Sequence, residues 1–116
     1  VVQIGSRQVL TRGASGRVLL AYLPEERARL LLENDPFVTV ESLEKVRSQG
    51  FAVSRAEREP GVLSVAAPIF NSRGTVETAV FVTMPLMRVE EERIEEISDE
   101  ILKVSRGISR EMGYCI

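Results

Sequence analysis

The sequence contains no histidine and a single cysteine, Cys115. The lack of histidine excludes Ser-His and Cys-His nucleophile systems and removes the commonest metal ligand. Cys115 stands next to the last residue, where a catalytic thiol would lack surrounding structure, and one cysteine cannot build a disulfide framework. Phosphate-binding Gly-x-x-x-x-Gly-Lys and Cys-x-x-Cys motifs are also lacking. We therefore expect no enzyme activity, no cofactor, no metal site and a reducing cytoplasmic location.

The chain also lacks an excess of basic residues and a long apolar run. Lys and Arg number 15 against 17 Asp and Glu, which gives a net charge of −2. A DNA-binding surface would show clustered basic residues and a positive balance. No run is long enough to span a membrane, and the first residues do not form a signal peptide. With 44% apolar residues in 116 positions, one domain with a core of its own is expected.

Residues 50–85 carry the clearest structural pattern. Two segments rich in β-branched residues, 62–70 and 75–84, flank an Asn-Ser-Arg-Gly turn, which predicts an antiparallel hairpin. Neither face of either strand is wholly polar, so the alternation predicts a sheet that is covered on both sides. Small hydroxyl residues on a covered face suggest that they line a cavity. Pro68 has no N–H to donate, so the side of the strand to which its N–H would point is expected to face solvent, a bulge or a sheet edge.

Three shorter helices are predicted before the hairpin. Ser15 is a plausible N-cap for the first, and Pro24 ends that helix or begins another at its first position. The second carries three leucines and ends at residues 34–36. Thr39 is expected to cap the third, which runs through Leu43 and Val46 and closes at Gly50. The small residues 13–16 allow two interpretations: close packing of a helix start on a sheet, or an anion site at the unpaired N–H groups.

A long helix is predicted from Pro85 to about Met112. Its apolar stripe is long enough to serve both the core and a partner helix, and the sequence alone does not divide the two: Ile94, Ile97, Ile101, Val104, Ile108 and Met112. Acidic residues crowd its first half. A solvated helix face is a better interpretation of them than a metal site, because the later Lys and Arg residues complete a distribution that complements the helix dipole.

Four segments of the chain resemble one known family. They are Gly-Ala-Ser-Gly-Arg-Val-Leu-Leu-Ala at 13–21, Gly-Phe-Ala-Val at 50–53, Glu-Pro-Gly at 59–61 and Val-Ala-Ala-Pro-Ile-Phe at 65–70. Together they resemble the effector-binding domain of the IclR family of bacterial transcription regulators, in order and over nearly the whole chain. The resemblance implies a GAF-like α/β (α+β) domain, with a mainly antiparallel sheet, helices on one side and a small-molecule pocket on the other.

The resemblance also bears on domain organisation. Residues 1–7 resemble a strand and turn that lie well inside such a domain. We therefore expect residues 1–116 to be a single, incomplete effector domain. The winged helix-turn-helix that binds DNA, its linker helix and the first strands of the domain are expected outside this chain.

The resemblance implies a ligand pocket, and its positions fall on Ala14, Ser15, Ser54, Ser64, Phe81 and Thr83. Several relatives place a carboxylate where Ser54 stands and a hydroxyl where Phe81 stands. The small hydrophilic keto acid of the better-known members is therefore not implied. Ser64 and Thr83 can equally be ordinary strand residues, and Phe81 can be core filler.

Two functional hypotheses follow. In the first, the domain senses a small organic carboxylate, and oligomer rearrangement, in a dimer or tetramer, links effector binding to DNA affinity. In the second, the chain is an oligomerisation module with a vestigial pocket. Convergent hydroxyls in an open cavity would favour sensing, whereas a filled face would favour scaffolding. An enzyme would need a titratable pair in the pocket, and the pattern offers none.

Overall fold

The computed structural model describes residues 13–33, 38–55 and 60–114. Within them lie the helices α1 (Ala14–Ala21), α2 (Glu25–Leu32), α3 (Val40–Gln49) and α4 (Glu91–Glu111), a 3₁₀ turn at Leu86–Arg88, and the strands β1 (Ala52–Arg55), β2 (Val62–Phe70) and β3 (Val76–Pro85). The predicted strand at residues 1–4, the helix end at residues 34–36 and Cys115 lie outside the described residues. The fold is α+β, as the sequence predicts.

The three strands form one antiparallel sheet in the order β1-β2-β3. The predicted hairpin is confirmed, and its turn is held by Asn71. The Asn71 Oδ1 accepts from the backbone N–H of Arg73 at 3.0 Å and of Thr75 at 3.1 Å. Gly74 closes the turn with a φ of 78°, in the left-handed region that a residue with a side chain rarely adopts.

Helices cover both faces of this sheet. Ala52 of β1 and Ala66 of β2 belong to a core cluster with Ala14 and Val18 of α1 and with residues of α3. On the opposite face, Val65 and Ala67 pack with Ile101 of α4. The expectation drawn from the resemblance, helices on one side only, is therefore wrong. Because β2 is apolar on both faces, both need a covering layer, as its alternation predicts.

The start of α1 differs from the prediction. Gly13, not Ser15, is the N-cap, with φ 91° and ψ 162°, and no side chain caps the helix. Ser15 is the second helical residue. The left-handed φ explains the shift, because only glycine enters that conformation without strain and the helix begins directly after it. Pro24 likewise precedes α2 as its N-cap and is not its first helical residue.

The predicted limits of α3 are confirmed. Thr39 Oγ1 accepts from the N–H of Ser42 at 3.2 Å, and Ser42 Oγ accepts from the N–H of Thr39 at 3.0 Å. This reciprocal pair satisfies two of the free donors at the helix start. At the other end, Gly50 adopts a φ of 89°, and its N–H donates to the carbonyl of Val46 at 2.8 Å. A Cβ there would lie 3.1 Å from Leu102 Cδ2, so α3 and α4 meet closely at this glycine.

The buried side of α4 only partly matches the predicted apolar stripe. Ile94 and Ile101 are buried, but Val104 and Met112 are 47% and 54% exposed. The buried line instead includes three serines: Ser98, Ser105 and Ser109. The periodicity of apolar residues does not reveal them, because serine is polar. Each of these hydroxyls is nevertheless buried, with a hydrogen-bond partner.

Two of these serines complete the central strand. β1 pairs with β2 only as far as Ala52 opposite Ala66. Past that point the carbonyl of Pro68 accepts from Ser105 Oγ, and the N–H of Phe70 donates to Ser109 Oγ at 3.0 Å. Pro68 thus lies where no strand of the described residues pairs with that side of β2, as expected for a residue without an N–H. Serine hydroxyls of α4 take the place of the strand.

We predict that Ser109→Ala destabilises the fold by about 1–3 kcal/mol, because it leaves the partly buried N–H of Phe70 without its acceptor. Chemical denaturation measures the change. The matched control is Ser48→Ala on the exposed side of α3, where the hydroxyl bonds the carbonyl of Lys45. That variant should stay within roughly 0.5 kcal/mol of the parent. Equal effects of the two substitutions would contradict the role assigned to Ser109.

Candidate functional site

Three hydroxyl residues stand side by side across the sheet. Ser54 of β1 pairs with Ser64 of β2, and Ser64 pairs with Thr83 of β3. Directly opposed residues of an antiparallel sheet project to the same face, and neighbouring strands lie about 4.8 Å apart. The three side chains therefore form one row across the sheet, with the outer two about 10 Å apart. We call these residues the hydroxyl row.

The hydroxyl row lies on the sheet face that α1 covers. Ser54 and Ser64 are each two residues from Ala52 and Ala66, which pack against α1. Phe81 is paired with Ala66 and is two residues from Thr83, so it shares this face. Four of the six predicted site residues are thus adjacent in the sheet.

The two remaining predicted residues lie at the start of α1. Ala14 is 1% exposed and belongs to the same core cluster as Ala52 and Ala66. Ser15 is half-buried, and its position next to Ala14 is what places it near the row. Ala14 therefore packs on the sheet face that carries the hydroxyl row. No contact within the described residues joins Ser15 to the row.

The local electrostatics favour an anion at this helix start. No side chain caps α1, and its first turn contains no acidic residue. The free N–H groups of a first turn and the helix dipole both attract negative charge. Arg17, one turn later, donates from Nη1 to the carbonyl of Val53 at 2.9 Å, which ties α1 to β1. None of the six site residues is an acid or a base, so the arrangement is suited to binding and not to proton transfer.

Ser54 differs from the other buried serines. Ser98, Ser105 and Ser109 each have a hydrogen-bond partner in the protein. Ser54 is 3% exposed, yet its hydroxyl has no partner among the described residues. Ser54 Oγ is not among the buried side-chain atoms left without a partner in the described residues, so no burial penalty attaches to it. The Ser54 hydroxyl is therefore available to a bound molecule.

The β3 end of the row is open. Ser64 is half-buried, Thr83 is exposed and the Phe81 side chain is 51% exposed. This end of the row is therefore accessible to solvent.

Sequence reasoning missed a second surface, between β3 and α4. A groove of about 340 Å³ is lined mainly by apolar residues: Val80, Phe81, Val82, Ile97, Ile101 and Val104. We call it the β3–α4 groove. The sequence indicates this surface only through the apolar stripe of α4, which is wider than the part of the helix that is buried against the sheet.

The described residues contain neither a metal-binding cluster nor a membrane-spanning helix. No group of three or more Cys, Asp or Glu side chains there is placed to hold a metal ion. No helix of that part of the chain has the length and hydropathy needed to cross a membrane.

Comparison with known proteins identifies the family. The model of the family described as "Bacterial transcriptional regulator IclR C-terminal" matches residues 1–110. The transcriptional regulator KdgR of Escherichia coli is 32% identical over 97% of this chain and 47% of its own length. The regulator BhcR of Paracoccus denitrificans is 32% identical over 90% of this chain and 42% of its own length. The chain thus spans about half the length of these curated relatives.

Solved structures agree with this assignment. The Thermotoga maritima IclR superposes with a TM-score of 0.85 at 32% identity, over 98% of this chain and 51% of that one. The isolated C-terminal domain of E. coli KdgR gives a TM-score of 0.82 at 31% identity, over 96% of this chain and 75% of that one. The relatives are transcriptional regulators, a non-enzymatic family, as the sequence predicts. The chain belongs to the IclR family of bacterial transcriptional regulators and represents its C-terminal, effector-binding region.

Proposed function

We propose that this domain senses a small organic carboxylate, bound on the α1 face of the sheet between the hydroxyl row and the start of α1. The observation that carries the proposal is the Ser54 hydroxyl, which lies beside Ser64 in the sheet and makes no hydrogen bond within the described residues. A ligand oxygen would satisfy it. Membership in a family of regulators supports a role in sensing, but it does not identify the effector.

The chemistry of the site suits a carboxylate. Hydroxyl groups of Ser and Thr donate to carboxylate oxygens, and hydrogen bonds to an ionised acceptor are roughly twice as strong as neutral ones. The uncapped first turn of α1 adds backbone N–H donors and the positive end of the helix dipole.

Apolar residues limit the size and polarity of the ligand. Ala52 and Ala66 line the face beside the row, and Phe81 presents half of its side chain there. Phe81 stands where several relatives have a hydroxyl, and Ser54 stands where they have a carboxylate. Both departures exchange hydrogen bonds for apolar contact. The effector should therefore be bulkier and less polar than a two- or three-carbon keto acid.

Effector binding would act on DNA through the assembly. In our proposal the ligand favours one arrangement of subunits, in a dimer or tetramer, and DNA affinity follows because the two binding equilibria are linked. The DNA contacts would belong to a winged helix-turn-helix domain outside these residues, and the regulator would act in the cytoplasm. The net charge of −2 on this chain agrees with a domain that does not itself bind DNA.

The second candidate function is an oligomerisation module with a vestigial pocket. The observation in its favour is the set of half-exposed apolar side chains on α4 and β3, such as Val104 and Val82, which suits an interface. Against it stand the open end of the hydroxyl row and the unpaired Ser54 hydroxyl, which a vestigial pocket would have no reason to keep.

The ligand class is tested by calorimetry on the complete effector domain. Aromatic and branched organic acids should bind more tightly than glyoxylate and pyruvate, because stacking on the Phe81 ring adds about 0.5–1.5 kcal/mol beyond the area that is buried. Tighter binding of glyoxylate than of every aromatic or branched acid would contradict this assignment of ligand class.

The helix-start site is tested by Ser15→Asp. Ser15 makes no capping bond, so its replacement should not weaken α1, and a negative charge in the first turn should stabilise the free protein by about 0.3–1 kcal/mol. The same charge should repel the ligand carboxylate and compete for the N–H groups. We expect affinity to fall by about 30-fold, which corresponds to about 2 kcal/mol.

Ser15→Asn is the matched control, since it has a similar shape without the charge. It should keep most of the affinity. Melting temperature and titration are measured on the same samples. If Ser15→Asp loses stability and binds the acid as tightly as the parent, then Ser15 only packs and the helix-start model of the site is wrong.

A further inference from the structure

A further cavity lies at the end of β2, past the last residue that pairs with β1. Its volume is about 220 Å³, and it is bounded by the C-terminal ends of α1 and α3, by β2 and by α4. We call it the aromatic cavity. Three aromatic rings, two serines and one arginine line it: Tyr22, Phe70, Tyr114, Ser105, Ser109 and Arg106. Phe70 is six residues along β2 from Ser64, which is about 20 Å, so the aromatic cavity is separate from the hydroxyl row.

The three rings form a continuous wall. The ring centroids of Tyr22 and Phe70 are 5.3 Å apart, and the rings meet edge to face at 84°. Phe70 and Tyr114 stack, with their centroids 4.7 Å apart and their planes at 17°. Both arrangements are favourable for aromatic pairs. Both tyrosines of the sequence therefore meet at this one place, although they lie at opposite ends of the described chain.

Backbone hydrogen bonds and packing fix this wall. The N–H of Tyr114 donates to the carbonyl of Ser109 at 3.0 Å, which turns the chain back at the end of α4. A Cβ at Gly74 would lie 3.6 Å from the Tyr114 ring, so the hairpin turn lies next to that ring. At the end of α1, the carbonyl of Ala21 accepts from Arg47 Nη1 at 2.6 Å, which ties α1 to α3. The walls of the cavity are thus formed by well-connected parts of the fold.

The polar groups of the cavity are suited to an anion. The Ser109 hydroxyl is 1% exposed and accepts from the N–H of Phe70, while its own proton enters no hydrogen bond among the described residues. Arg106 is exposed and makes no ion pair within that part of the chain. Burial raises the pKa of Tyr22, so its phenol keeps its proton at neutral pH. No acidic side chain stands among the described residues that line the cavity.

We propose that the aromatic cavity is a second ligand site, distinct from the proposed effector site, and that it binds a flat aromatic anion of the size of benzoate. A cavity of about 150 Å³ holds a benzene ring, so the larger volume here admits a ring and one carboxylate. The ligand ring packs against the aromatic wall. Its carboxylate accepts from Ser109 Oγ and from the Arg106 guanidinium, which are three residues apart and therefore neighbours on one face of α4.

A titration of the 116-residue chain with benzoate tests the site directly. The ring C–H signals of the tyrosines are followed by NMR. Both tyrosines of the sequence line the aromatic cavity and neither belongs to the hydroxyl row, so their shifts report on this site alone. We expect both rings to shift saturably, with a Kd of about 1 mM for a ligand this small. Absence of a saturable shift at about ten times that concentration would overturn the proposal.

Arg106→Gln tests the contact with the carboxylate. It should weaken benzoate binding about fivefold, because a charge-assisted hydrogen bond is lost. Arg110→Gln is the matched control, since Arg110 is exposed one turn later on α4 and does not line the cavity, and it should leave the affinity unchanged. Benzamide, which has the same ring without the charge, should bind the parent more weakly than benzoate and should not respond to Arg106→Gln.

Two outcomes of this comparison would contradict the proposal. If Arg106→Gln and Arg110→Gln weaken benzoate equally, only the net charge of the protein matters. If benzamide binds the parent as tightly as benzoate, the cavity does not select an anion.

Discussion

The structure depends on the burial of the central strand β2 and on the hydrogen bonds that its backbone makes there. Leu63, Val65, Ala66 and Ala67 are all 0% exposed, so solvent does not satisfy their backbone groups. β3 pairs along its whole length, but β1 covers only part of the other side. Ser105 and Ser109 of α4 supply the rest. These two bonds fix α4 against β2, and with it one of the two layers that enclose the sheet.

The same alternation that builds the core creates the candidate site. Residues that project from β2 toward α4 are apolar, whereas those that project toward α1 are small and include a hydroxyl: Ser64, Ala66 and Pro68. A small side chain leaves space, and a hydroxyl gives that space a polar group. Because the register places Ser54, Ser64 and Thr83 opposite one another, three single hydroxyls become one recognition surface. The uncapped start of α1 lies over the same face and adds electrostatic preference for an anion.

Much of this arrangement could be predicted from the sequence, and the errors have physical causes. The hairpin, its two faces and the limits of α3 follow from local patterns: alternation, an Asn/Gly turn, and the Thr39 and Gly50 caps. The cap of α1 was assigned to Ser15 because serine is a common N-cap, whereas the left-handed φ of Gly13 depends on how the chain enters the helix. The role of the α4 serines could not be predicted, because it depends on where β1 ends relative to β2.

The site was predictable only in part. Ser54, Ser64, Phe81 and Thr83 were assigned through family resemblance, and the register that aligns them is a tertiary property that no local pattern contains. Ser54 is distinguished only by a comparison within the folded protein: three buried serines are bonded and it is not. The width of the α4 stripe did indicate a second apolar surface, but its position between β3 and α4 required the structure.

Substitution of Ser54 tests the central claim most directly. If the Ser54 hydroxyl bonds a ligand and not the protein, Ser54→Ala removes no hydrogen bond from the free domain. The free energy of unfolding of the free domain should then be unchanged or slightly higher. It should weaken binding of the tightest organic acid found by calorimetry about fivefold, the equivalent of one hydrogen bond of about 1 kcal/mol. Ser98→Ala, in which a bonded buried hydroxyl of α4 is removed, is the control that should leave affinity unchanged. A Ser54→Ala domain that is less stable but binds the acid as tightly as the parent would contradict the account.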